Sequence, residues 1–238
     1  TSFETQIAKK VAKSLNYEIF VIEYNDKKWE LLKDDKDFHK YLEYAFNYSS
    51  LPHIQDFIAI KELIKNGNLP TNSIIVPGFC GDLIGGSYIP KEVILGKSRE
   101  LLRLGIKNYI FKKHFHNLHI KLNLKIEDKQ KLLNRIDDEI FRYRPDNIDS
   151  FISINENFFT NHKVSKFVVN SLRVYEFFNF EWRMPLWDKE LIEFWYQVPN
   201  KLRYNNDLYN KFLFNYLFIP YKVEFYKDKE FLRNPIIL

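Results

Sequence analysis

The sequence holds one cysteine in 238 residues, Cys80, and that scarcity excludes an internal disulfide framework. No apolar run approaches the ~18 residues a transmembrane helix needs, and there is neither an internal repeat nor a low-complexity tract. The opening Thr1-Ser2-Phe3-Glu4 has no basic segment leading into an apolar one, so it does not read as a secretory leader. The expectation from these absences is a cytoplasmic protein with no membrane partner. Apolar residues make up 45% of the chain and charged residues 28%, a globular rather than a disordered composition. A chain of this length buries about 70–75% of the surface its unfolded form exposes, so a packed core is expected. The net charge of +5 comes from 36 Lys and Arg against 31 Asp and Glu, and the basic residues are spread over many segments. That dispersal argues against a nucleic-acid partner.

Apolar periodicity predicts most of the elements. Ile7, Ala8, Val11, Ala12 and Leu15 fall at helical spacing, and Glu18 to Ile22 then reads as a strand. A second helix carries Phe38, Leu42, Ala45 and Phe46 on one face. A third is opened by Pro52, carries Phe57, Ile60, Leu63 and Ile64, and is closed by Gly67. The run Ser73 to Val76, bounded by Pro70 and Pro77, has the form of a buried strand in a parallel sheet, and it leads directly into the glycine-rich turn from Gly78 to Gly86. Beyond Pro90 no further strand is evident. Helical patterns run through Leu101 to Phe111, Lys129 to Tyr143, Val164 to Phe178 and Asp207 to Leu217, and Asp188 is placed to cap a helix bearing Leu191, Ile192, Trp195 and Val198. The expected fold class is α/β, a parallel sheet with flanking helices followed by a mostly helical second half. Residues 1–90 would form the nucleotide-binding α/β region and 91–238 a helical region continuous with it.

The turn from Gly78 to Gly86 stands where open α/β sheets bind ligands, beyond the carboxyl end of a strand. Its glycines would let backbone N–H groups approach phosphate, and Asp82 could hold Mg²⁺ bridging phosphate oxygens. The alternative is a tight connection in which the glycines only turn the chain and Asp82 only caps a helix. Cys80 reads as a small packed residue in preference to a nucleophile. His114, His116 and His119 form the one histidine cluster, but a zinc site would need three or four converging ligands, and this spacing favours a basic surface with Lys112 and Lys113. Arg183, in an otherwise apolar segment, calls for a fixed partner such as a core carboxylate.

Three blocks together resemble the synthetase domain of asparagine synthetases, within the N-type ATP pyrophosphatase superfamily of adenine nucleotide α-hydrolase-like folds. They are Glu4 to Leu15, similar to the helix after the second strand; Ile74 to Asp82, similar to a strand followed by a Ser-Gly-Glu-Gly-Ala-Asp-Glu loop; and Glu181 to Asp188, similar to a Glu-x-Arg-x-Pro-Phe-Leu-Asp segment. Lys201-Leu202-Arg203 and a helix bearing Lys211 follow the third block. The resemblance implies an ATP-dependent ligase that adenylates a small carboxylate, releases pyrophosphate and passes the acyl group to ammonia or an amine. It implies ATP and Mg²⁺ as cofactors, nucleotide contacts at Gly78, Phe79, Gly81, Asp82 and Arg183, the metal at Asp82, and a catalytic Lys211. It also implies a first strand and a Ser-Gly-Gly-x-Asp-Ser phosphate loop upstream of Thr1, and a glutaminase domain or partner where glutamine is the nitrogen source.

Two positions depart from the family pattern: Phe79 replaces the loop's glutamate, and Leu83 replaces the acidic residue after Asp82. General-base chemistry at those positions is therefore not expected, and the acceptor need not be aspartate. The competing readings are a binding or scaffold protein that kept the fold without the chemistry, and an RNA-modifying ATP pyrophosphatase. The sulfur-transferring members of the latter use paired cysteines, which are absent here.

Overall fold

A computed structural model describes residues 3–48, 50–115, 123 and 125–223. In chain order the helices are α1 (Phe3–Ser14), α2 (Asp26–Leu31), α3 (Lys36–Ala45) and α4 (Gln55–Lys65), followed by the strand β1 (Ile74–Ile75). Next come α5 (Gly81–Gly85), α6 (Lys91–Ile94), α7 (Arg99–His114), α8 (Ile126–Phe141) and α9 (Ile148–Phe159). A π-helical segment, Thr160–Val168, continues α9 and leads to α10 (Val169–Ser171) and α11 (Arg173–Phe177). The strand β2 (Glu181–Trp182) precedes α12 (Lys189–Gln197), α13 (Asn200–Arg203) and α14 (Asp207–Phe212), and a second π segment, Leu213–Phe218, follows. The protein is mostly helical, with a two-stranded parallel sheet among the described residues. None of the described helices is long and apolar enough to cross a membrane.

The chain divides into two units. The first comprises residues 1–77, 170–183 and 206–238. Its core is aromatic: Tyr41 of α3 and Phe57 of α4 are fully buried with ring centroids 5.2 Å apart, and Phe177 and Phe178 close around them at 5.5 Å from Tyr41 and 5.2 Å from Phe57 respectively. Rings at these separations add to the burial they contribute by area. In the sheet, Ile74 lies opposite Glu181 and Ile75 opposite Trp182, and the Arg183 amide extends the ladder to the Ile75 carbonyl at 2.9 Å.

Several strand expectations are corrected here. The parallel pairing of Ile74 and Ile75 is as expected, but Ile74 and Val76 are 54% and 59% exposed, so this is not a buried strand. β2 lies beyond Pro90, where no strand was expected. Glu18 to Ile22 has no regular secondary structure. Ile19, Phe20 and Val21 are exposed and no ladder partner faces them among the described residues, and a strand without a partner leaves its backbone groups to water. The third helix begins at Gln55 rather than at Pro52.

The second unit comprises residues 78–169 and 184–205. Ile106 and Ile110 of α7, Ile136 and Ile140 of α8, and Phe151 and Ile152 of α9 form its main core. Three of its helices start where a side chain accepts from the first-turn amides: Ser98 for α7, Asn147 for α9 in a capping box with Ser150, and Asp188 for α12 as the sequence indicates.

In the first unit Tyr175 donates to Asp56 Oδ2 at 2.8 Å, and His53 Nδ1 lies 3.6 Å from the same oxygen. The Asp56 carboxylate holds His53 above its ordinary value. Burial alone would raise Asp56, but the His53 and Tyr175 hydrogens outweigh it and hold the carboxyl low. The His53 contribution is complete below its unfolded pKa and is lost as pH rises through its elevated folded pKa. The Asp56 contribution is present above its unfolded pKa and is lost as pH falls through its depressed folded pKa. The cluster therefore stabilises most in mildly acidic solution, between about pH 4 and 6.5. Urea midpoints should decline from pH 6 to pH 8 in the wild type and decline less in His53→Gln. Tyr175→Phe should cost about 1 kcal/mol near pH 5.5.

Candidate functional site

Gly78 begins the second unit, and the segment that follows is shaped by backbone hydrogen bonds. Cys80 adopts a left-handed conformation with φ of +78°, and its carbonyl accepts from the amides of Leu83 and Ile84 at 3.0 and 3.3 Å, which winds the single turn of α5. Gly86, with φ of +102°, ends that turn, and Ser87 donates from its amide and its hydroxyl to the Asp82 carbonyl at 3.0 and 2.7 Å. The glycines differ in why they are glycine. A Cβ on Gly86 would lie 2.3 Å from the Arg203 carbonyl oxygen, so the backbone there requires glycine, whereas one on Gly81 would lie 2.9 Å from Leu186 Cδ1, the movable tip of a side chain. A Cβ on Gly78 would meet nothing within 4 Å. The cofactor contact expected at Gly81 therefore falls on a residue buried against Leu186, whereas Gly78 offers open backbone.

Two neighbouring residues of α9 hold this segment. Asn155, fully buried, donates to the Tyr88 carbonyl at 2.8 Å. Glu156 pairs with Arg203, and both side chains are 4% exposed or less. Arg203 also donates from Nε and Nη2 to the Ile84 carbonyl at 3.2 and 3.1 Å, and from Nη1 to Asn200 at 3.2 Å. Burial pushes the Glu156 carboxyl above its ordinary value, and the Arg203 guanidinium pulls it back only in part.

The segment forms one side of a cavity of about 300 Å³. Its polar lining includes Asp82, Tyr88 and Lys163, whose Nζ donates to the Tyr88 hydroxyl at 2.5 Å and lies 4.8 Å from the Tyr88 ring centroid. Lys113 lies 5.6 Å from the rings of both Tyr88 and Tyr109. Phe79, Phe159 and Val168 are among the residues of the apolar side. Burial, reinforced by the Asp82 charge and opposed by Lys163, pushes the Cys80 thiol up to about 11, so it is protonated at neutral pH and serves as a packed residue, as the sequence reading favours. One carboxylate and one ammonium in the same lining, with an unobstructed Gly78 backbone, fit a magnesium-bound phosphate, because Mg²⁺ keeps most of its shell for water and phosphate oxygens.

The other expected site residues belong to the first unit. Arg183 does not meet a core carboxylate: its Nη2 donates to Glu181 at 2.8 Å, and both side chains are mostly exposed. Two residues of spacing on an exposed strand end bring these groups together where the apolar neighbours suggested burial. Lys211 pairs with Asp207 one helical turn away, at 2.8 Å. In the histidine cluster, His114 packs against Phe158 and Phe159, and burial together with the charges of Lys163 and His162 pushes it down to about 4. It is thus a neutral core-edge residue, not part of a basic surface. His116 and His119 lie outside the described residues, among which no three His, Cys, Asp or Glu side chains converge.

Sequence reasoning missed Tyr88, Asn155, Glu156 and Lys163. Asn155 and Glu156 carried a signal, because they stand four residues after Phe151 and Ile152 on the apolar face of α9, where a polar side chain needs a buried partner. Tyr88 and Lys163 carried none. Comparison with family models, curated proteins and solved structures returns no match for this chain.

Arg203→Met leaves Glu156 buried without a counter-charge and the Ile84 carbonyl without its donors, and should cost about 3–5 kcal/mol by chemical denaturation. Removing both charges in Glu156→Met/Arg203→Met should cost less than Arg203→Met alone. A double variant less stable than the single one would show that the pair does not act as a unit.

Proposed function

We propose that the chain belongs to an ATP-dependent amide-forming ligase of the asparagine synthetase type, with β1 and β2 as two strands of an adenine nucleotide α-hydrolase-like sheet. The observation that carries the reading is the cavity on the glycine-rich segment, where open backbone at Gly78, the Asp82 carboxylate and the Lys163 ammonium meet. The order of the three sequence blocks supports it independently. Mg–ATP would supply the electrophilic phosphorus and the pyrophosphate leaving group. Asp82 would hold the metal, and the Gly78 and Phe79 backbone would face the phosphates. Lys163 would offset negative charge as it builds toward the transition state, and the roles that the resemblance implies for Lys211 in catalysis and Arg183 in nucleotide binding rest on the sequence pattern alone. Phe79 cannot move a proton, so the chain's contribution at that position is shape. Ammonia or an amine would be the acceptor, delivered by a glutaminase domain or partner where glutamine is used. A second reading, a binding protein of the same fold, is favoured by Phe79 and by Leu83, a buried core residue at a position acidic in the family pattern.

The deciding experiment is pyrophosphate release from Mg–ATP by the intact protein, screened over small carboxylates with ammonia present. Carboxylate-dependent release is expected, and Asp82→Asn should lower it about 10²–10³-fold. Lys211→Ala should abolish turnover with the circular dichroism unchanged. Equal turnover in both variants and the wild type, or no release with any carboxylate, would overturn the proposal.

A further inference from the structure

Resting on that reading, we infer that the acid activated at this site is a monocarboxylate with an apolar body, such as an aryl or branched aliphatic acid, its carboxylate held at Lys163. The cavity lining is of two chemical kinds. Phe79, Phe159, Val164, Phe167 and Val168 supply an apolar wall, and Lys163 supplies the cation. Four of the lining residues, Lys163, Val164, Phe167 and Val168, come from the π segment Thr160–Val168, whose widened turn presents them together. Segments of this kind are rare and occur disproportionately at functional sites.

The polar lining is built for one carboxylate. The polar contact of Lys163 is the neutral Tyr88 hydroxyl at 2.5 Å, and no carboxylate lies within ion-pair distance of its ammonium among the described residues. A ligand carboxylate there would make a charge-assisted bond of the stronger kind. Lys163 is the one cation among the described lining residues, so a second carboxylate, as in aspartate, would find no cation of its own in the lining, which is costly for an ionised group. A hydroxyl-rich acid meets the same objection more weakly, since its hydroxyls would lose water without gaining partners on the apolar wall. At about 300 Å³ the cavity also sits at the small end of the range for ligand pockets, in keeping with a small acid.

The test is isothermal titration of the intact protein with phenylacetate and with aspartate, without nucleotide. Phenylacetate should saturate and bind at least about tenfold more tightly than aspartate, a difference of about 1.4 kcal/mol. Lys163→Met should weaken phenylacetate by about tenfold or more. Phe167→Ser, at a wall position 40% exposed and therefore tolerant of change, should weaken it as well while leaving the circular dichroism unchanged. Aspartate binding as tightly as phenylacetate, phenylacetate failing to saturate, or Lys163→Met binding like the wild type would each overturn the inference. The same samples given Mg–ATP and ammonia separate the two claims. Selective phenylacetate binding without pyrophosphate release would remove the ligase reading and leave the acid site standing, whereas release with aspartate alone would keep the ligase reading and end this one.

Discussion

The buried pair between Glu156 and Arg203 is the constraint on which the second unit's site depends. Two ions taken out of water bring a desolvation cost of several kcal/mol each, and their mutual attraction offsets it only when the remaining hydrogen-bonding capacity is met. Here it is met by the Ile84 carbonyl and Asn200. The guanidinium thus ties α9 and α13 to the end of the glycine-rich turn in one fixed geometry. Asn155, one residue earlier, holds Tyr88 by its carbonyl, so adjacent positions of α9 secure both ends of the span from Ile84 to Tyr88. Gly86 sits between these anchors with the Arg203 carbonyl where its side chain would be. The clamp fixes the Tyr88 backbone, from which the side chain reaches Lys163 on the neighbouring π segment.

The helices were legible because burial on one face imposes a period of 3.6 that a single segment displays by itself. Strands were legible only in part, Ile74 and Ile75 being the expected one, because pairing is a property of two segments. Glu18 to Ile22 has strand composition but lacks a ladder partner, whereas Glu181 and Trp182, with no strand signature, pair with Ile74 and Ile75. The site was legible in the same proportion. Glycines and an aspartate clustered in sequence could be read as a unit, and Asp82 does line a cavity. Lys163 lies 81 residues further along in a helical stretch where nothing marks one lysine over another, and only the tertiary fold of the unit makes it a neighbour of Tyr88.

Arg183 and Lys211 raise a different question, namely what a local ion pair says about availability. The Arg183 pair with Glu181 is exposed on both sides, and exposed pairs contribute about 0–1 kcal/mol. The Lys211 pair with Asp207 spans one helical turn and is worth about 0.5 kcal/mol or less at such spacing. Contacts that weak do not commit a side chain. A phosphate oxygen offers either residue a stronger partner, so neither pair counts against a role with a polyanionic ligand. Arg203 differs: the buried Ile84 carbonyl and Glu156, with the half-buried Asn200, hold its guanidinium, and it is therefore a framework residue.

Local conformational rules are broken at many points, with left-handed non-glycine residues from Asn16 to Lys222 and a second π segment at Leu213–Phe218, and three departures fall close together. Cys80 holds a left-handed backbone that a non-glycine residue adopts at a cost of about 1 kcal/mol or more. The continuation of α9 widens into a π segment at Thr160. Gly78 lacks a side chain although nothing within the chain would obstruct one. Each departure taken singly has a bland account in turn geometry or packing. All three border the same cavity. The ligand proposed there would give them one common reason, since it calls for close approach of backbone at Gly78, a cation at Lys163 and an apolar wall, whereas the departures elsewhere in the chain keep their separate local accounts in turns and helix ends.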